Sequence, residues 1–364
     1  MHITPLQSIA SMRRMQTARL LAALIFSALL FGCGGDDNPP PATLEDEIRL
    51  ALDALDSDRD FTLVLEANNG HRFIHSTGAS TEYTDYESAS TSKWVSATVI
   101  LDLVAQGVMT LEDHPQDHID FWPETGRLGE IRLRHLLSFS SGLSNEPLCI
   151  NARRFDFSEC VTRILEQNSD IPPPGAEFNY NSAHLQVAGL MAMRALDPSG
   201  GTAWSDVFAR FQARTGLFPA AAFDLPSLEN PRLAGGMHWR AIEYTDFLAA
   251  LYRYRVLTPE LIQAMSTDQI ANATIVKTPA GEDRGLDWHY GFGNWIECET
   301  VPFTCAEPSR FSSPGAYGAY PFMDREHGYF GILARQGLLG SQAEGFRIVT
   351  EVEPLLQQWA ALHQ

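Results

Sequence analysis

Residues 90–107, STSKWVSATVILDLVAQG, decide how this chain is read. Ser90 and Lys93 stand at the head of a segment whose apolar positions Val95, Val99, Leu101, Val104 and Ala105 recur at helical spacing, and Gly107 supplies the stop. The spacing predicts a helix over 90–106 with the hydroxyl and the amine on one face, within hydrogen-bond reach. A serine at a helix N-terminus also has its own N–H free to face a developing oxyanion. Taken alone, Ser-x-x-Lys is a weak pattern, more often a capping serine with a solvated lysine. Lysine usage sharpens it. Lys93 and Lys277 are the only lysines among 26 basic residues. Arginine stays protonated, whereas a buried lysine amine can lose its proton and take one from a hydroxyl.

Two further segments extend the constellation. Tyr180-Asn181-Ser182 follows the turn-forming run Pro172-Pro173-Pro174-Gly175 and Phe178, giving a loop that presents a phenol beside two polar side chains. A tyrosine held near a cationic lysine suits general acid/base work, although a loop tyrosine by itself is more often structural. Ser312-Ser313-Pro314-Gly315-Ala316 precedes a predicted strand, and its small residues either let a substrate lie along the strand edge or form an ordinary turn. His135, His184, His238 and His327 lack the i, i+4 pairing of a metal-binding helix, so no metal or cofactor is implied. His184, four residues after Tyr180, either lines the pocket or packs in the core. A Gly-x-Ser-x-Gly elbow is absent, which argues against an α/β-hydrolase.

Together these residues resemble the β-lactamase-related serine hydrolases, which comprise class C β-lactamases, D-Ala-D-Ala carboxypeptidases and esterases of the same fold. The resemblance runs over roughly residues 44 to 362. It makes Ser90 the nucleophile and Lys93 its base, and matches Tyr180 to the tyrosine of a Tyr-x-Asn motif whose asparagine is replaced by Ser182. Leu136-Leu137-Ser138 through Ser141-Gly142-Leu143, Leu233-Ala234-Gly235-Gly236 with Asp246, and Tyr290-Gly291-Phe292-Gly293 are similar to further family segments. For the third motif, Lys-Thr-Gly or His-x-Gly in the family, Lys277-Thr278-Pro279 is closer in letters. Chain order favours Ser313-Pro314-Gly315, which comes after the Tyr290 strand. On that mapping Ser182, Ser313, Gly315 and Ala316 line the substrate, the Ala316 N–H is the second oxyanion donor, and Lys277 belongs to a surface loop. Serine at 313 removes the lysine that meets the carboxylate of penicillins and peptidyl-D-Ala-D-Ala. The resemblance therefore implies an esterase-like hydrolase of ester or amide substrates, with a D-Ala-D-Ala carboxypeptidase or weak β-lactamase as the alternative. A non-catalytic lipoprotein scaffold with a site decayed at Ser182 and Ser313 is the alternative of another class.

The fold expected is α+β, β-lactamase/transpeptidase-like: a mostly antiparallel sheet flanked by terminal helices, plus a helical subdomain. Leu44–Leu55 reads as a helix, Phe61–Glu66 and Arg72–His75 as strands joined by Asn68-Asn69-Gly70, and Ala343–Leu362 as a closing helix. Beta character returns at Trp288–Ile296, Ala316–Met323 and Gly328–Leu333, while Leu111–Ala264 shows few convincing strands and Asn272–Asp287 reads as a surface loop. This divides the chain into a sheet subdomain, 44–88 with 270–364, and a helical subdomain, 89–269.

The N-terminus carries an address. Arg13, Arg14 and Arg19 precede an apolar run from Leu20 to Phe31, the length of a signal-peptide core. Leu30-Phe31-Gly32-Cys33 resembles the bacterial lipoprotein cleavage box, which implies a signal peptide over 1–32, lipidation at Cys33, a membrane tether over 33–43 and a periplasmic location. In an oxidising compartment the remaining Cys149, Cys160, Cys298 and Cys305 are disulfide candidates, with three possible connectivities, of which nearest neighbours in sequence are the first to consider. A net charge of -19 without a basic cluster argues against nucleic-acid binding. The partners expected are thus a small ester, peptide or β-lactam-like substrate and a membrane. Oligomeric state is not legible.

Overall fold

A computed structural model describes residues 42–280 and 285–364; the expected signal peptide, the expected lipidation site Cys33 and nearly all of the expected tether lie outside the described residues. Among the described residues the main sheet has seven strands. In spatial order they are Arg72–Ser76, Thr62–Ala67, Tyr329–Ala334, Tyr320–Asp324, Arg310–Ser312, Trp295–Ile296 and His289–Tyr290. Every pairing in it is antiparallel, as expected. The first hairpin pairs Thr62 with Ser76 and Glu66 with Arg72, and its three-residue turn closes through Gly70, whose φ of 91° needs a residue without a Cβ.

The strand Thr62–Ala67, second from one edge, is buried at every position because both faces of the sheet are covered there. Leu63 and Leu65 face the terminal helices Leu44–Asp53 and Gln342–Leu362, where they meet Ile48, Leu52, Val352 and Trp359. Val64 faces the other way, into a larger core that contains the helices Ser92–Ala105 and Ala183–Leu196. Every residue of the first of these helices from Ser92 to Leu103 is buried, which is why it is apolar around most of its circumference rather than along one stripe.

The structure refines the sequence expectations at three places. The helix predicted from Ser90 begins at Ser92, and Ala89–Thr91 form a 3₁₀ turn ahead of it. Within 111–264 the strand Met237–Arg240 pairs with Asp85–Glu87 on one side and Ala222–Phe223 on the other, which ties the chain just before Ser90 to the chain just after Gly236. Within the expected surface loop Asn272–Asp287, Thr274–Lys277 is a strand running parallel to Glu177–Asn179. Neither strand is apolar enough to announce itself. Each is fixed by its partner, not by its own pattern.

Candidate active site

The turn bearing Ser90 is held from three directions. Thr91 accepts hydrogen bonds from Trp239 Nε1 at its hydroxyl and from the Tyr244 hydroxyl at its carbonyl, both at 2.8 Å. The Ser88 N–H donates to the Met237 carbonyl at 2.9 Å. Ala89 adopts a φ of 43°, a left-handed conformation that costs energy for a residue with a Cβ and persists because its surroundings over-determine it. Ser90 itself is half-buried, so its hydroxyl sits in a packed frame without being sealed from solvent.

Lys93 lies in that frame, 4% exposed. Its Nζ is 2.8 Å from Ser90 Oγ and donates to the Ala234 carbonyl at 2.8 Å. Desolvation lowers the amine's pKa to about 7; Glu146 opposes the shift, and the charges of Arg232 and Lys277 add to it. A substantial fraction of the amine is thus neutral at neutral pH, with an N–H for Ala234 and a lone pair for the Ser90 proton. Leu233-Ala234-Gly235-Gly236 acquires a physical meaning here. Its carbonyls take hydrogen bonds from Ser96 and Lys93, and a Cβ at Gly236 would lie 2.0 Å from the Leu225 carbonyl oxygen.

Tyr180 is brought to Lys93 by the parallel pair Glu177–Asn179 and Thr274–Lys277; its N–H donates to the Lys277 carbonyl at 3.1 Å. The Tyr180 ring lies with its face 4.6 Å from Lys93 Nζ and stacks on Trp295 at 5.0 Å. Ser182 is buried at the N-cap of the helix Ala183–Leu196 and its side chain caps nothing. Asn181 is a structural residue: its amide nitrogen bonds the Leu143 carbonyl and its oxygen accepts from the Ala183 N–H. His184 is fully buried, bonded to Ser141 Oγ and the Asn179 carbonyl and stacked on Phe139, which decides for the core over the pocket. Burial lowers its pKa to about 4, so it stays neutral.

Of the two third-motif candidates, the structure brings Ser313 to the nucleophile. Ser313 Oγ donates to the Ser90 carbonyl at 2.9 Å, and Gly315 lets the chain pass the Ser88 carbonyl, which a Cβ there would meet at 2.6 Å. Ala316 is half-buried, and among the described residues its N–H has no protein acceptor. Ser313–Ala319 forms the connection between two antiparallel strands, so the strand expected from Ala316 begins at Tyr320. Lys277 is exposed, as expected, although it sits on a strand and not in a loop.

The family then follows. A model of the beta-lactamase family matches residues 59–347. This chain belongs to the beta-lactamase family. It is a β-lactamase-fold member of a serine hydrolase family. A protein of Bacteroides dorei DSM 17855 assigned to the beta-lactamases is 25% identical over 81% of this chain and 93% of its own, with a TM-score of 0.70. EstCE1, a hydrolase with promiscuous acyltransferase activity, is 15% identical over 86% and 97%, with a TM-score of 0.68. A penicillin-binding protein of Bacillus halodurans is 18% identical over 86% and 99%, with a TM-score of 0.63. The last two show the shared β-lactamase fold. Comparison with curated proteins gives no match.

Sequence reasoning missed three groups around the site. The Ala234 carbonyl carries no side-chain signal, and Trp295 lies far along the chain from Tyr180. Arg232 stands two residues before Ala234, in a segment already picked out by its likeness to the family. The two disulfides are Cys149–Cys160 and Cys298–Cys305, the nearest-neighbour connectivity.

Proposed function

We propose that this beta-lactamase-family protein is an exported, lipid-anchored serine hydrolase of esterase type that works through an acyl-enzyme. The observation that carries the reading is the 2.8 Å approach of a buried, readily neutralised Lys93 amine to a half-buried Ser90 hydroxyl. Ser90 Oγ attacks the acyl carbon while its proton passes to Lys93 Nζ. The N–H groups of Ser90 and Ala316 meet the oxyanion. The acyl–oxygen bond of an ester then breaks, Tyr180 helps to deliver a proton to the departing alkoxide, and water releases the acid. Serine at 313 leaves that position without a cation for penicillin-type carboxylates, which favours an esterase over a D-Ala-D-Ala carboxypeptidase or a β-lactamase. Two disulfides suit the oxidising side of a membrane, where a lipid on Cys33 would hold the enzyme.

Intact-mass labelling of the mature protein with a fluorophosphonate, and separately with a penicillin, tests the chemistry. One adduct per chain that vanishes in Ser90→Ala and Lys93→Ala supports the Ser–Lys site. Preference for penicillin shifts the reading to the cell wall, and no adduct on folded protein makes the scaffold reading the leading one. Metabolic labelling with a lipid analogue tests the anchor, and equal labelling of Cys33→Ala refutes it.

A further inference from the structure

Most arginines that reach into the body of this protein are matched to carboxylates. Arg72 and Arg253 meet Glu66, Arg214 meets Asp102, Arg310 meets Glu297, and Arg335 meets Asp58. Arg232 is an exception. It is half-buried, and among the described residues no carboxylate oxygen lies within ion-pair distance of it, in a chain with 45 acidic residues against 26 basic ones. Its position is built: Nη1 donates to Asn151 Oδ1 and Nη2 donates to the Gly235 carbonyl at 3.1 Å. The Asn151 turn is in turn fixed by the Cys149–Cys160 bridge and by Asn230 Nδ2, which donates to the Cys149 carbonyl at 2.9 Å. A guanidinium has five N–H donors, so protein acceptors among the described residues leave more than half of them for a ligand.

Gly235 lies against both Arg232 and the turn that carries Ser90. An atom at the Cβ position of Gly235 would lie 3.0 Å from Arg232 Nε and 3.4 Å from the carbonyl carbon of Ala89, the residue before Ser90. A second cation stands nearby on Lys277, whose carbonyl anchors Tyr180. The exposed Glu146 is the opposing charge, and both cations act on Lys93 against it.

We infer that Arg232 is a specificity-determining residue and that the substrate carries a carboxylate beside its scissile ester or amide carbonyl. This rests on the assignment of Ser90 as nucleophile. The planar fork of Arg232 receives the carboxylate, Lys277 adds long-range attraction, and the cation absent at Ser313 is supplied instead from the segment that also holds Lys93. A neutral ester leaves the donors not taken by Asn151 and Gly235 to water.

The experiment compares 4-nitrophenyl hydrogen glutarate, which bears a free carboxylate, with 4-nitrophenyl butyrate. The ratio of their kcat/KM values is measured in wild type, Arg232→Gln and Arg232→Lys, so a general loss in any variant cancels. Wild type is expected to favour the anionic ester by about tenfold or more, Arg232→Gln to lose that preference through KM, and Arg232→Lys to recover part of it. A ratio unchanged by Arg232→Gln overturns the inference. Calorimetric binding of the same two esters to Ser90→Ala separates it from the catalytic reading. Preferential binding of the glutarate ester without turnover in wild type rejects the hydrolase and keeps the anion site, whereas equal binding rejects the anion site whatever the turnover.

Discussion

Lys93 Nζ meets the Ala234 carbonyl at 2.8 Å, the same distance at which it meets Ser90 Oγ. The carbonyl points the amine, and burial keeps it near neutrality. An amine with a pKa of about 7 is an active base only above that pH. The acid limb of the kcat/KM profile is therefore expected near pH 7, with rates falling below it. Lys93→Met is expected to lower kcat/KM by about 10²–10⁴-fold. A rate independent of pH between 5 and 9 would refute this role.

The same shift has a stability consequence of defined sign. The folded-state pKa of about 7 lies below the ordinary value of 10.5, so between these limits the unfolded chain binds the proton and the folded chain does not. Wild type should gain stability relative to Lys93→Met as pH rises through that window, with a slope of about 1.4 kcal/mol per pH unit, and lose it as pH falls to 7. Urea denaturation of both proteins at pH 7, 8 and 9 reads the slope.

Tyr180→Phe separates ring from hydroxyl. The ring keeps its stack on Trp295 and its face toward Lys93, so folding should be retained. Loss of the hydroxyl should reduce kcat by about 10²-fold or more while fluorophosphonate still labels Ser90. Wild-type turnover in this variant would leave Tyr180 as packing alone.

Gly315→Ala places a carbon 2.6 Å from the Ser88 carbonyl oxygen, which is backbone and cannot rotate away. The Ser313–Ala316 segment must then shift from the nucleophile turn, and the Ser313–Ser90 hydrogen bond with it. A displacement on the order of 1 Å is expected to cost about 10²-fold in kcat/KM. Steady-state kinetics alongside a thermal melt check this, because an unfolded variant would lose both.

The Cys149–Cys160 bridge closes a short loop, and its removal in Cys149→Ala/Cys160→Ala is expected to cost about 2–3 kcal/mol. Because this bridge steadies the Asn151 turn that holds Arg232, the double variant should also raise KM for the glutarate ester more than for the butyrate ester. Thiol titration of unfolded, unreduced mature wild type should find none of Cys149, Cys160, Cys298 and Cys305 free.

The sequence alone determined the elements whose signal is local. Ser90 and Lys93 are three apart on one turn of chain, the Asn68-Asn69-Gly70 hairpin is set by a residue that tolerates positive φ, and the terminal helices carry their own periodicity. Chain order was enough to prefer Ser313 over Lys277, because both flank a strand that could be recognised. Tertiary structure decided what depends on pairing between distant segments. Thr274–Lys277 becomes a strand only beside Glu177–Asn179, and that pairing sets where Tyr180 stands. His184 could line the pocket or pack in the core, the second being the commoner fate of a lone histidine, until Phe139 and Ser141 closed around it. The depressed pKa of Lys93 belongs to the fold as well: a lysine in sequence has an ordinary amine, and only burial behind the 233–237 segment withdraws the water that keeps it charged. Arg232 shows the same physics, since a lone arginine letter says nothing of whether a carboxylate will stand beside it, and the packing of one glycine against Ala89 put it next to the nucleophile without one.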